Sequence, residues 1–385
     1  MGGSGQVAGA ALPKSESSKK RMLYLLNVNW DWIKQRPQYL AEALAEFYSV
    51  DAYEKFAYRR GRLIKNQVDS VHLRKLFRLP GERFLLIHKM NNLLYKNKLR
   101  SILRNYDYIW IADASYFKFI KPYISENQCV IYDSMDDVVE FPQYKNDKVL
   151  RARYVKEEKD LVSSCRIIFT SANHLKETLL KRYPDVDETK IHVINNAVSD
   201  KLLDRYVKYD HSSVAKKASN VKKIITYIGT ISQWINWDII LSSLEKFNDV
   251  EYHFYGPVEY PIPKHDGIYY KGILPQNKIV DAMLASDLLL MPFKINPLIE
   301  SVNPVKLYEY ILSGIPSLAC GYSESEKFSD YVYLYYNERE YMHYISELSQ
   351  GNLTNKSQNG KAFVEMNTWN HRAREIYGII NSVSK

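Results

Sequence analysis

Strand-sized runs of Ile, Val, Leu and Tyr recur along this chain in two series, with helical stretches between them. That alternation restricts the fold more than any other feature. Neighbouring parallel strands cannot be joined by a tight turn, so strand–helix alternation encodes parallel sheets with crossover helices. The first series opens with a strand at 22–28 and a helix near 35–47. It continues through strands at 108–112, 129–132, 167–170 and 191–194, with helices near 147–164 and 174–183. Residues 199–223 are polar and irregular and read as a linker. The second series runs through strands at 224–229, 251–256, 268–272, 288–293 and 317–320, and a helix at about 369–380 follows a polar break near 354–360. A chain of 385 residues exceeds what one core usually serves. We therefore expect an α/β protein with two Rossmann-like domains facing across a cleft. The expected organisation is a leader or disordered stretch at 1–20, domains at 21–200 and 223–365, a linker at 201–222, and a C-terminal helix at 366–385 that can cross back to the first domain.

Charge is unevenly placed. The whole chain carries a formal +9, yet residues 58–104 hold thirteen Lys and Arg against Asp69 and Glu82. Apolar residues interleave with these cations, as in Phe84-Leu85-Leu86-Ile87-His88-Lys89-Met90, at a spacing that suits a basic amphipathic helix. Such a helix fits an anionic membrane surface; the alternative is a solvated helical face over the core. No nucleic-acid module is present, so nucleic acid is not an expected partner. The longest apolar runs are strand-sized, which leaves no transmembrane helix. Cys129, Cys165 and Cys320 are scattered, offer neither a disulfide framework nor a zinc site, and suit a reducing compartment.

The stretch Asn303-Pro304-Val305-Lys306-Leu307-Tyr308-Glu309-Tyr310-Ile311-Leu312-Ser313-Gly314-Ile315-Pro316 reads as a short helix. Asn303 suits the N-cap, Pro304 the first turn, and Gly314 with Pro316 the end. Lys306 then lies where a cation opposes the helix dipole. The helix follows the 288–293 strand, so its N-terminus belongs at a strand's carboxyl end. Free N–H groups there attract phosphate, and Lys306 adds a full charge to the same anion. Glu309, on the same face, is placed to accept bonds from ribose hydroxyls; the alternative is a plain i,i+3 salt bridge.

This segment resembles the nucleotide-sugar-binding region of glycosyltransferases with the GT-B fold, where a P-x-K-x-x-E-Y-x-x-x-G-x-P helix lies in the C-terminal domain. Tyr227-Ile228-Gly229-Thr230-Ile231-Ser232 resembles the Gly-turn that approaches the diphosphate, and Phe254-Tyr255-Gly256-Pro257, Tyr270-Lys271-Gly272 and 285–293 resemble the strands that follow. In the first half, 29–38, with Trp30, Gln35, Arg36, Pro37 and Gln38, is similar to the W-x-x-x-x-Q-R-P-Q segment of family 4-type transferases of polysaccharide and teichuronic-acid biosynthesis, as is Tyr132-Asp133-Ser134-Met135-Asp136-Asp137. The resemblance spans about 23–380.

It implies a transferase that moves a sugar from a nucleotide-diphosphate donor of UDP, GDP or dTDP type to a hydroxyl of a saccharide or polyprenyl-diphosphate-linked acceptor. The setting it implies is bacterial surface polysaccharide synthesis, cytoplasmic and peripheral on the inner face of the cell membrane through 58–104. No separate cofactor and no metal are expected, and retention is slightly favoured over inversion. Gly229, Thr230, Asn303, Val305, Lys306, Glu309 and Arg36 are the candidates to hold the donor. Asp136, Asp137 and Asp31 are the candidates to act on the acceptor. Open beside these readings are structural caps for all three aspartates, Asp31 as N-cap of the helix near 35–47, and surface pairing for Arg36. The pattern also departs from the family. Counting back from Glu309 puts the first of its paired glutamates at Ser301, with Glu300 one place away, and Gln233-Trp234 stands where relatives carry Arg and Lys. Lys306 then becomes the main diphosphate cation. Asn195-Asn196-Ala197-Val198 stands where N-G-V is common at the domain crossing, and Asn tolerates a left-handed backbone there. A non-catalytic nucleotide-binding scaffold would bind nucleotide without turnover, and a nucleotide-sugar epimerase would act without an acceptor.

Overall fold

The computed structural model describes residues 19–31, 33–55, 70–81, 83–209, 222–356 and 359–383. Seven strands form the first sheet: β1 (Arg21–Leu25), β2 (Ser49–Lys55), β3 (His72–Leu76), β4 (Tyr108–Ile111), β5 (Cys129–Ser134), β6 (Ile167–Thr170) and β7 (Ile191–Val193). Six form the second: β8 (Lys223–Ile228), β9 (Val250–Tyr255), β10 (Ile268–Tyr270), β11 (Leu288–Met291), β12 (Ser317–Cys320) and β13 (Tyr333–Tyr335). Strand order is β3-β2-β1-β4-β5-β6-β7 and β10-β9-β8-β11-β12-β13. Every pairing between these strands is parallel. Both sheets are therefore Rossmann-like, with order reversing at β1/β4 and at β8/β11.

Helices cover both faces of the first sheet, which is why its inner strands are continuous apolar runs. Tyr-Ile-Trp-Ile of β4 is buried throughout. The helices used below are α1 (Arg36–Leu44), α2 (Leu85–Leu103), α3 (Lys148–Ser164), α4 (Asn173–Arg182), α5 (Asp200–Val207), α6 (Val305–Ser313), α7 (Ser323–Glu326) and α8 (Trp369–Val383). On one face of the first sheet, Tyr24, Trp110 and Phe169 stack in a row, with 5.3 Å between successive ring centroids. The same core takes Trp369, Ala373, Ile376 and Ile380 of α8 at helical spacing. Trp369 stacks on Tyr39 of α1 at 5.4 Å. The last helix of the chain thus packs into the core of the first domain.

Three sequence expectations differ from the structure. The stretch read as linker from residue 201 begins as helix α5, whose Leu202 joins the second core; residues 210–221 of that linker, 1–18 of the leader and 58–69 of the basic segment lie outside the described residues. Strands β2, β3 and β13 were not anticipated; in β2, Asp51 and Glu54 interrupt what would otherwise read as an apolar run. Both acids are buried, Asp51 against Arg21 and Tyr106, Glu54 against the Trp30 N–H. Finally, Asn303 does not cap the 305–313 helix: Pro304 occupies that position, and the Asn303 side chain turns inward. Gly314 ends the helix with φ of +69°, the left-handed stop that glycine adopts without a Cβ penalty.

Candidate functional site

Strand β8 runs directly into Gly229 and Thr230 at the point where strand order reverses. Gly229 N–H donates to Tyr255 O (2.8 Å), and Gly256 takes φ of +137° against it. A Cβ at position 256 would come within 1.9 Å of Gly229 O, so only glycine fits there. Helix α6 is held to this turn through Tyr310. Its hydroxyl accepts from Ile228 N–H of β8 and approaches Leu290 O of β11. The half-buried Val305 and Lys306 then present first-turn N–H groups beside the turn.

Lys306 lies over Gly229, its Cε 3.5 Å from where a Cβ would be. Its Nζ donates to Glu309 Oε2 at 3.1 Å, with the carboxylate buried and the ammonium part exposed. The i,i+3 ion pair is therefore present. It offsets the unfavourable dipole placement of Lys306 and holds the cation at the helix N-terminus. Glycine turn, N–H groups, ammonium and carboxylate converge on one strand end.

At the first domain's strand ends the candidates separate. Arg36 is buried. It donates from Nε and Nη2 to Asp133 at 2.8–3.2 Å, and from Nη1 to Ile194 O and Asn196 Oδ1. Its guanidinium is spent within the protein, which replaces both earlier readings of it, phosphate donor and surface pair: it ties β5 to the chain leaving β7. Asp137 is buried, and both its oxygens accept from Arg182 Nη2 (2.7 and 2.8 Å), so it braces α4. Asp31 lies in the turn after β1 and does not cap α1, where Gln35 occupies the N-cap in a capping box with Gln38. Asp136 is half-buried, with no ion-pair partner among the described residues. Burial pushes its carboxyl up to about 7; the Arg36 charge opposes this, and Asp133 and Asp137 add to it.

Helix α1 links the two ends. Arg36 in its first turn faces Asp133 and acts on Asp136, while Tyr39, one turn on, feels the charge of Glu309 from the second domain. Burial drives the Tyr39 phenol upward first, and Glu309 adds to it. A second bridge uses Asn303. Its Oδ1 accepts from Asn196 N–H (2.9 Å), its O accepts from Asn196 Nδ2 (2.7 Å), and its Nδ2 donates to Glu324 Oε2 (3.2 Å). Asn303 is thus an interdomain clamp. Asn196 does this with ordinary backbone, since no non-glycine among the described residues has positive φ. Glu324 escaped the sequence reading. Buried on the short helix α7, it accepts from Asn173 N–H at the start of α4 (2.9 Å) and from Lys327 (2.6 Å). The signal that was available is its place just past the β12 strand end, opposite the other strand-end carboxylates.

No family model matches the chain, and no curated protein matches it in sequence. Solved structures do. Sucrose-phosphate synthase from Thermosynechococcus elongatus is similar with a TM-score of 0.71 at 12% identity, over 94% of this chain and 99% of that one. Anabaena HepE in complex with UDP-glucose gives 0.65 at 11%, over 94% and 100%. The lipopolysaccharide outer core galactosyltransferase WaaB gives 0.61 at 11%, over 94% and 99%. Two Rossmann-like sheets, a helix that returns to the first core and full-length superposition on these proteins identify the architecture: the chain has the GT-B fold.

Proposed function

We propose that this protein is a glycosyltransferase that uses a nucleoside-diphosphate sugar. One observation carries the reading: Lys306 and buried Glu309 pair at the N-terminus of α6, over the Gly229 turn, where the strand order of the second sheet reverses. Diphosphate charge is accepted by Lys306 and the first-turn N–H groups, and ribose hydroxyls by Glu309. The similar HepE structure was solved with UDP-glucose, which supports a donor of this class.

In the reaction, the bond from the anomeric carbon to the phosphate oxygen breaks and the diphosphate keeps the electron pair. The acceptor oxygen forms the new bond to that carbon and loses its proton. Retention, which the family resemblance favours, sends the proton to the departing phosphate, with Asp136 orienting the acceptor hydroxyl. Inversion makes Asp136 the base. The anomeric configuration of the product distinguishes the two.

The finer reading is a role in surface polysaccharide synthesis with a lipid-linked acceptor at the inner face of the cell membrane. Exposed Leu85, Leu86, Met90 and Leu93 on α2, beside Lys89, Lys96 and Arg100, support it. No helix among the described residues is long and apolar enough to cross a membrane. Replacing Leu86 and Leu93 by Glu should release the protein from phosphatidylglycerol vesicles in a sedimentation assay; unchanged binding refutes this docking.

The donor site is tested by calorimetry and thermal shift with UDP, GDP, dTDP, ADP and CMP on the wild type, Lys306→Ala and Glu309→Ala. Selective stabilisation by one diphosphate, lost in Lys306→Ala and weakened in Glu309→Ala, is the expected result. If no nucleotide binds, or both variants bind as the wild type does, the assignment falls.

A further inference from the structure

A second charged concavity lies away from the cleft. It encloses about 370 Å³ at the β2–β3 edge of the first sheet and is walled by Arg21, Asp51, Arg74, Lys75, Lys98 and Tyr106 among others. Arg21 begins β1 and Tyr106 precedes β4, so the pocket lies toward the amino ends of those strands. The donor site and Asp136 lie at carboxyl ends.

Four cations face one carboxylate here. Asp51 is buried and already engaged by Arg21 Nη2 (2.8 Å) and Tyr106 Oη (2.8 Å), with His72 Nδ1 at 3.4 Å. Lys75 reaches Glu54 at 3.7 Å. The Arg74 guanidinium and the Lys98 ammonium are exposed and have no hydrogen-bond or ion-pair partner among the described residues. Like charges that converge on one concavity repel, and low-dielectric walls concentrate their field inside it. A compact anion cancels that repulsion and accepts charge-assisted hydrogen bonds from guanidinium and ammonium together.

We propose that this pocket binds a phosphate group. Tyr53 and Ile102 on its wall give an apolar surface for whatever the phosphate is esterified to. Two sources share that chemistry, a soluble phosphate compound and the headgroup of an anionic lipid. Lys98 belongs to α2, the helix that also exposes Leu86 and Leu93, so a headgroup would reach the pocket along one helix. This inference is independent of the donor reading.

The experiment is calorimetric titration of the full chain in a Lys306→Ala background, which weakens the donor site's share of the signal. The probes are inorganic diphosphate and dihexanoyl phosphatidylglycerol below its micelle concentration, each with and without Arg74→Gln/Lys98→Gln. Both residues are exposed and unpaired among the described residues, so the double variant should keep the far-UV circular dichroism and melting midpoint of its parent. We expect binding of at least one probe and a loss of tenfold or more in the double variant. Tighter binding of diphosphate assigns a soluble source, and tighter binding of the phosphatidylglycerol assigns the lipid. Binding of neither probe, or affinity unchanged in the double variant, overturns the proposal.

Discussion

The two sets of strand ends that meet at the cleft satisfy their charges by opposite means. In the second domain, Lys306 and Glu309 pair within one turn of helix, and the pair stays half open. In the first, Asp133 finds Arg36 at 97 residues' separation and Asp137 finds Arg182 at 45, both in buried bidentate contacts. A charge paired locally on a helix face can exchange its partner for a ligand. One locked by a distant guanidinium in the interior holds the fold together, while its neighbour Asp136 has no ion-pair partner among the described residues.

The largest expected effect breaks the distant side of that contrast. Arg36→Ala leaves the fully buried Asp133 without its cation and should destabilise the fold by about 3–5 kcal/mol. Urea unfolding measures this, and a loss under about 1 kcal/mol would mean that the pair is not structural. Arg36→Lys keeps the charge but not the fork, and should recover only part of the loss.

Adjacent carboxylates provide the next test. If Asp136 is the base, Asp136→Asn should lower the transfer rate by about 10²–10⁴ while leaving the fold intact. The wild-type rate should rise with pH and level off above about 7, where Asp136 is ionised. Asp137→Asn should instead reduce stability through Arg182. Equal kinetic effects of the two substitutions, measured with stability matched, would erase the distinction between them.

On the local side, Lys306→Ala should cost roughly tenfold to a hundredfold in nucleoside-diphosphate affinity, as expected for a charged hydrogen bond of about 1.5–3 kcal/mol. Little change in melting temperature should accompany it, because Glu309 retains some access to water. A large stability loss would show that this pair too is structural.

A further effect is in stability against pH. The folded carboxyl of Asp136 titrates near 7 and its ordinary value is 3.8, so between those limits the folded chain holds a proton that the unfolded chain has released. Stability from this group therefore falls as pH rises through that window and stays lowered above it. Asp136→Asn removes the penalty, and its melting temperature should gain on the wild type between pH 5 and pH 8. No relative gain would mean that Asp136 is better solvated than its setting implies.

Much of the architecture was legible because it is written in local pattern. Runs such as Leu288-Leu289-Leu290-Met291 and Ile167-Ile168-Phe169-Thr170 can only be inner parallel strands once helices follow them. The α6 helix, with its Gly314 stop and its Lys306–Glu309 face, was likewise readable from spacing alone. What failed to show was whatever depended on a distant partner. Ser49–Lys55 reads as polar until Arg21, Tyr106 and Trp30 arrive to satisfy Asp51 and Glu54. Asn303 reads as a cap until Asn196 and Glu324 claim its side chain.

The sequence by itself determined two strand–helix series of parallel strands and the helix at 305–313 that follows the 288–291 strand. Period, chain direction and turn chemistry are properties of neighbours along the chain, so sequence carries them directly. Only the tertiary structure decided which of Asp136 and Asp137 remains open, that Arg36 is a brace, that α8 belongs to the first core, and that Glu324 latches α4. Those outcomes depend on which groups desolvation brings together. A buried charge must be matched by whatever counter-charge the fold delivers, however far away that residue lies in sequence.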